Sequence, residues 1–181
     1  MGRTRQRTLR TERSYVGIGI HTGQEATMTF KPAPAGTGVE FVRVDLPGAP
    51  PIPARIGCVM TNQITPRRTA LSRSGVRINT VEHVLAAIAG LGIDNIIVEL
   101  DSDEPAEPAD GSCKPFVEIL TEAGFAEQDA PLQYLEVAEP ITFDDGDVHL
   151  SASPYDGLRV SFTIDYENPI IGTLFASFEI E

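Results

Sequence analysis

A carboxylate and an imidazole stand side by side in the segment NTVEHVLAAIAGLGIDN, residues 79–95, at the start of an apolar stretch. They belong to Glu82 and His83, and His83 is one of only three histidines among 181 residues. A neutral imidazole can bind zinc, and a neighbouring carboxylate can take a proton from water beside the metal. The pair therefore indicates a candidate site for metal-assisted hydrolysis.

The same segment also supports a structural interpretation of Glu82. Asn79 stands three residues earlier, which is the spacing of a capping box at a helix start. His83 points about 100° away around the helix, off the apolar stripe. From the residues alone, helix capping is the favoured role of Glu82, and a partly buried structural histidine is the more common role at the position of His83.

The other two histidines do not complete a zinc site by their position. His149 is predicted to lie in a strand beside an Asp-Gly turn and to face solvent, and His21 lies in the glycine-rich turn GIGIHTG. That turn has the spacing G-x-G-x-x-x-G and precedes a predicted strand, which argues against a dinucleotide fingerprint. Because a catalytic zinc ion usually takes three protein ligands, one histidine is not a site.

Strands and two short helices are predicted to position these residues. Residues 14–44 indicate short strands, and RRTALSRSGVRIN predicts a hairpin with RSG at its tip. The helix that follows is predicted to end around Gly90, and NIIVEL predicts another strand. KPFVEILTEAGF predicts a second helix, started by Asp110 or Ser112 and ended by Gly124, and AEQDAPLQ predicts a connector.

The remaining sequence is predicted to be wholly strand, in the segments YLEVAEPITF, VHLSASP, LRVSFTIDY and TLFASFEIE. Asp-Gly pairs at 145–146 and 156–157 are turn signals within this run. No helix is predicted to cover these strands, and an uncovered sheet leaves an apolar face in water. We therefore expect the sequence to break off within a second domain.

Composition excludes several classes of protein. The chain is 41% hydrophobic and 22% charged, as in ordinary globular proteins, and its net charge of -12 argues against general nucleic-acid binding. No apolar run is long enough for a transmembrane helix, and no apolar segment follows the arginine-rich start as in a secretory signal. Cys58 and Cys113 form no C-x-x-C pair, which favours a reducing, cytoplasmic location.

Four blocks of the sequence, VGIGIHTG, RINTVEHVLAAIAGLGIDN, DGSCKPFVEIL and FTIDYENPIIG, together resemble the UDP-3-O-acyl-N-acetylglucosamine deacetylase family. These are zinc amidohydrolases that act at the committed step of lipid A biosynthesis in Gram-negative bacteria. The resemblance implies an α+β fold in which each of two domains is a sheet backed by a helix pair, of the ribosomal S5 domain 2-like kind. Residues 1–128 would form the N-terminal domain, and residues 129–181 the first strands of an incomplete second copy.

The resemblance also implies roles for individual residues. His83 matches a zinc ligand, and Glu82 matches the general base for water that attacks the N-acetyl group of UDP-3-O-acyl-N-acetylglucosamine. The products would be acetate and a free amine, with Zn²⁺ as the cofactor. Four further residues match positions that line the substrate site, three of them within the segment TPRRTALS: His21, Arg67, Arg68 and Thr69.

Other parts of the family site have no counterpart in this sequence. The family's remaining zinc ligands stand in an H-x-x-x-D motif, so these 181 residues alone are expected to bind zinc poorly and to be inactive, while the intact protein is expected to be a monomer. An alternative is a naturally short, non-catalytic homologue that binds a UDP-sugar or a partner protein. The segment EPAEPADGS departs from the family pattern E-hydrophobic-P-x-x-D-G-S. The resemblance therefore assigns no contact to Glu104 or Glu107.

Overall fold

The computed structural model describes residues 3–61, 67–108 and 110–180. It contains two compact units, Thr4–Leu132 and a second unit of residues 133–180 with residue 3. The elements of the first unit are β1 (Arg5–Leu9), β2 (Arg13–Ile18), β3 (Glu25–Pro32), β4 (Val39–Arg43), β5 (Ile52–Pro53), a 3₁₀ turn (Ile56–Cys58), β6 (Leu71–Arg73), β7 (Val76–Ile78), α1 (Glu82–Gly90), β8 (Ile96–Leu100), α2 (Lys114–Ala123) and β9 (Phe125–Pro131). Those of the second unit are β10 (Ile141–Asp145), β11 (Val148–Ala152), β12 (Leu158–Asp165) and β13 (Thr173–Ile180). The predicted α+β class is confirmed.

A mixed five-stranded sheet in the order β2-β3-β8-β4-β5 forms the first layer of the first unit. β8 pairs antiparallel with β3 and parallel with β4, which places Val98 between Phe30 and Phe41. Side chains alternate between the two faces of a strand, so every second residue of these strands points the same way. One face of the sheet is accordingly fully buried, through Met28, Phe30, Phe41, Ile96, Val98 and Leu100.

The two helices provide the second layer over this buried face. Their buried residues join the sheet in one hydrophobic cluster, through Val84, Ala87, Ile88, Phe116, Leu120 and Ala123. The ring of Phe116 lies edge-on to Tyr15 at 5.3 Å and to Phe30 at 6.2 Å between centroids. The first unit therefore has the predicted arrangement of a sheet backed by a helix pair. Neither helix in the described part of the chain is long and apolar enough to cross a membrane.

The predicted turns and helix ends agree with the structure in most places. The hairpin of β6 and β7 turns at Ser74 and Gly75, as the RSG tip predicts. α1 ends at Gly90, and α2 has Gly124 as its C-cap, with a positive φ of 68°. The hydroxyl of Ser112 accepts the N–H of Lys114 at 3.2 Å, although the N-cap residue of α2 is Cys113.

The predicted connector AEQDAPLQ is wrong. Most of it belongs to β9, which pairs antiparallel with β1 and brings Leu9 opposite Phe125. None of the β9 residues is fully buried. The sequence of this strand therefore does not show the alternation of apolar and polar residues that marks a strand with one buried face. The strand exists because the backbone of β1 supplies its hydrogen-bond partner, which a local pattern cannot reveal.

The second unit consists of two hairpins in its described residues, β10 with β11 and β12 with β13. The Asp145-Gly146 turn closes the first hairpin, as predicted. Asp156-Gly157 instead joins β11 to β12, which are not paired with each other in the described region. Residues 134–139, predicted as strand, lie outside the strands of this unit. A second copy of the sheet-and-helix architecture stays a prediction.

Candidate active site

Glu82 and His83 are the first two residues of α1, and the predicted capping box is wrong. The side-chain amide of Asn79 donates instead to the carbonyl oxygen of Asp103 at 3.2 Å. Thr80 has a positive φ of 53°, so the chain turns sharply between Asn79 and the helix. Val81 takes the N-cap position without a side-chain cap bond, and Glu82 is therefore released from a capping role.

The carboxylate of Glu82 is held by the segment that precedes β6. Its Oε2 atom accepts the backbone N–H of Thr69 at 3.0 Å. The N–H of Val81 donates in return to the carbonyl oxygen of Thr69 at 3.2 Å. This reciprocal pair orients one carboxylate oxygen and leaves Oε1 open for another partner. Thr69, a predicted site residue, thus contacts Glu82 through its backbone.

His83 forms a close contact with Glu107, a residue of the loop after β8. Nδ1 of His83 lies 2.6 Å from Oε2 of Glu107, whose side chain is only 3% exposed, whereas that of His83 is 32% exposed. With the carboxylate as acceptor, Nδ1 is the donor. The second ring nitrogen, Nε2, makes no hydrogen bond to a described residue, so the imidazole can engage a ligand through it.

The backbone around Glu107 is fixed against β2. The N–H of Glu107 donates to the carbonyl oxygen of Ile18 at 3.1 Å. A Cβ atom on Gly17 would lie 3.2 Å from the carbonyl oxygen of Glu107 and 3.3 Å from the Cβ of Ala106. Glycine at position 17 therefore allows the loop to pack directly on the strand.

The carboxylate of Glu107 is buried at an electrostatic cost. Burial raises its pKa above the ordinary value, and the hydrogen bond from His83 offsets only part of that rise. The negative charges of Glu82 and Glu104 raise the pKa further. Its second oxygen, Oε1, is buried without a hydrogen-bond partner among the residues that the structure describes.

A second buried carboxylate, that of Glu104, organises the turn of residues 21–23 after β2, the HTG turn. It accepts the backbone N–H of Thr22 at 2.8 Å, that of His21 at 3.1 Å and the hydroxyl of Thr80 at 2.8 Å. Burial alone would raise the pKa of Glu104, but these hydrogen bonds outweigh it and hold the pKa below its ordinary value. A Cβ atom on Gly19 would lie 2.5 Å from Oε2 of Glu104, so glycine at position 19 provides clearance for the carboxylate.

The other sequence-predicted residues contribute differently. His21 offers its backbone N–H to Glu104, and its side chain is exposed. Arg67 is exposed with a φ of 71°, and Arg68 is half-buried; residues 65 and 66 of the same segment lie outside the described residues. His149 lies in the second unit, where it is exposed, as predicted, and bonds Asp144 at 2.5 Å.

Glu104 and Glu107 are the site residues that sequence reasoning missed. The available signal was their presence in the Pro-rich segment EPAEPADGS, where two carboxylates stand close together in a short loop. Residues 104–108 of this loop are buried, and the carboxylates of Glu104 and Glu107 bond to segments that lie 24 to 83 residues away along the chain. A sequence pattern that compares only neighbouring residues cannot identify these hydrogen-bond partners.

The chemistry of His83 fits a metal ligand. Metal-binding histidines commonly donate their other ring N–H to a carboxylate, which fixes the tautomer and orients the ring. The contact with Glu107 has this form, and it leaves Nε2 to bind a metal. Across residues 3–61, 67–108 and 110–180, however, no group of three or more His, Cys, Asp or Glu side chains is placed to hold a metal ion.

Comparison with known proteins connects this chain to one family. Residues 6–181 match the family model described as LpxC, UDP-3-O-acyl N-acetylglycosamine deacetylase. The UDP-3-O-acyl-N-acetylglucosamine deacetylase of Saccharophagus degradans is 45% identical, over 92% of this chain and 54% of its own. That of Bdellovibrio bacteriovorus is 43% identical over the same shares, and the bifunctional enzyme LpxC/FabZ of Chlorobaculum tepidum is 48% identical over 93% of this chain and 36% of its own. The chain spans about half the length of the first two relatives. It belongs to the UDP-3-O-acyl N-acetylglycosamine deacetylase family.

Proposed function

We propose that the native protein carrying this chain removes the N-acetyl group of UDP-3-O-acyl-N-acetylglucosamine, in the committed step of lipid A biosynthesis. Family membership over residues 6–181 supports the reaction. The structural observation that carries the proposal is the contact of His83 with the buried Glu107, one residue from the carboxylate of Glu82. It leaves a ring nitrogen and a carboxylate oxygen available at the start of the same helix.

His83 would hold a catalytic zinc ion through Nε2. Zinc supplies a Lewis acid that polarises the acetyl carbonyl and increases the acidity of water. A catalytic zinc ion usually takes three protein ligands, so two more are required besides His83. We therefore expect the 181 residues alone to bind zinc weakly and to lack deacetylase activity.

Glu82 would act as the general base. Its Oε2 is held by the N–H of Thr69, which orients Oε1 to take a proton from the attacking water. The water oxygen then forms a bond to the acetyl carbon. The amide bond between the acetyl carbon and the nitrogen breaks, and this nitrogen, which stays attached to the sugar, receives the proton. Water and the amide are thus converted to acetate and a free amine.

Both Cys58 and Cys113 are free thiols, which a reducing compartment preserves. We accordingly propose a cytoplasmic location. We also propose that the native protein acts on its UDP-sugar substrate as a monomer.

A deacetylase assay on the native protein tests the proposal. Glu82→Gln is expected to lower kcat by about 10²- to 10⁴-fold and to leave the zinc content unchanged, because it removes only the base. His83→Ala is expected to lower both zinc content and activity. Glu118→Gln is the matched control, since Glu118 is an exposed residue of α2 paired with Lys114 at 3.8 Å. Full activity in both the Glu82 and the His83 variants would refute the mechanism.

A further inference from the structure

The buried carboxylate of Glu107 is poorly explained by a purely structural role. Its side chain is 3% exposed, and Oε1 finds no hydrogen-bond partner among the described residues. Removing a carboxylate from water is costly unless its oxygens are hydrogen-bonded. An apolar side chain could fill the same space without that cost. The one bond that the carboxylate does make, to Nδ1 of His83, is therefore the feature that needs an explanation.

The position of this carboxylate is set independently of His83. The N–H of Glu107 is bonded to Ile18 at 3.1 Å, and Gly17 allows the close packing of the loop on β2. Three residues earlier, Glu104 is anchored by the N–H of Thr22 at 2.8 Å. Because both ends of this short segment are fixed to the sheet and the HTG turn, Glu107 presents its carboxylate to the helix from a rigid support.

We propose that Glu107 is a positioning residue that holds the imidazole of His83 in the tautomer and orientation that bind a metal ion through Nε2. The proposal rests on the zinc-dependent function proposed above. A hydrogen bond of 2.6 Å from Nδ1 to a carboxylate keeps the proton on Nδ1 and leaves the lone pair on Nε2. Rotation of the ring would break this bond, so the carboxylate also fixes the direction of the lone pair.

Zinc affinity of the native protein, measured by competition with a chelator, is the first test. Glu107→Gln and Glu107→Ala are both expected to weaken zinc binding, within a range of about 10- to 100-fold, with the larger loss in the alanine variant. The matched control is Glu99→Gln, which makes the same chemical change on β8 at a residue paired with Lys31 at 2.7 Å. It is expected to leave zinc affinity unchanged.

A double-mutant cycle separates positioning from general damage to the fold. If Glu107 acts through His83, adding Glu107→Gln to His83→Ala has no further effect on the residual zinc affinity. A structural defect would instead weaken zinc binding equally in both backgrounds. Equal loss in the two backgrounds overturns the inference even if the variants are folded.

Nitrogen-15 NMR of the metal-free native protein provides a spectroscopic readout. The signals of His83, identified by their loss in His83→Ala, are expected to show the Nδ1–H tautomer, and Glu107→Ala is expected to remove this preference. If His83→Ala weakens zinc binding but the Glu107 variants keep wild-type affinity and tautomer, the positioning role is wrong and the zinc function stands. If His83→Ala binds zinc like the wild type, the proposed function itself fails.

Discussion

The hydroxyl of Thr80 donates to the carboxylate of Glu104 at 2.8 Å, and Thr80 holds a left-handed backbone conformation with a φ of 53°. This conformation is unfavourable for a β-branched residue and persists only where the surroundings enforce it. Both side chains are fully buried, and Glu104 is bonded at the same time to the HTG turn. The contact thus connects the turn after β2 to the start of α1, two residues before Glu82.

Replacing Thr80 by valine tests this connection, because valine keeps the shape of the side chain and removes the hydroxyl. The buried carboxylate then loses one donor, and the free energy of unfolding is expected to fall by about 1–3 kcal/mol in denaturant titrations. Thr121→Val is the control, since the Thr121 hydroxyl is exposed and donates to the carbonyl oxygen of Val117 within the same helix. Equal losses of unfolding free energy in the two variants would show that the buried bond stabilises the protein no more than the exposed one.

Gly19→Ala tests the clearance that the GIGIHTG block provides. The added Cβ atom would lie 2.5 Å from Oε2 of Glu104, so either the carboxylate or the turn must move. Overpacking of this kind is expected to destabilise the protein by about 1–3 kcal/mol, measured by thermal or denaturant unfolding. Gly57→Ala provides the comparison, because no atom lies within 4 Å of a Cβ at that position. A Gly19 variant as stable as the Gly57 variant would contradict the packing described for Glu104.

Stability at acid pH should depend on Glu104. Its pKa is lowered in the folded protein from the ordinary value of 4.5, so the folded state binds fewer protons than the unfolded state between the two pKa values. Stability from this carboxylate is therefore fully present above the ordinary pKa and is lost as the pH falls through the folded-state pKa. The measurement is the free energy of unfolding of wild type and Glu104→Gln from about pH 7 to about pH 3. The difference between them is expected to shrink below the ordinary pKa, and a difference that stays constant would contradict this role.

The sequence by itself predicted the elements whose signal is local. Alternation over residues 26–30 and the β-branched run of residues 96–98 mark strands of the central sheet, and the helical spacing after Val81 marks α1. Glycines mark the tip of the β6–β7 hairpin and the end of α2. These features are readable because a buried face imposes a period of two or 3.6 residues, and a turn with positive φ favours glycine. The adjacent pair Glu82 and His83 was also visible in the sequence as a candidate site.

Tertiary structure alone decided what each polar side chain contacts. Asn79 and Glu82, expected to form a capping box, bond instead to Asp103 and Thr69, respectively. β9 pairs with β1 although its sequence has no apolar pattern. Glu107, in a loop that sequence reasoning set aside, became the partner of His83 across 24 residues. The physical reason is that a buried donor or acceptor must find a partner wherever packing brings one, and that choice depends on segments far apart along the chain.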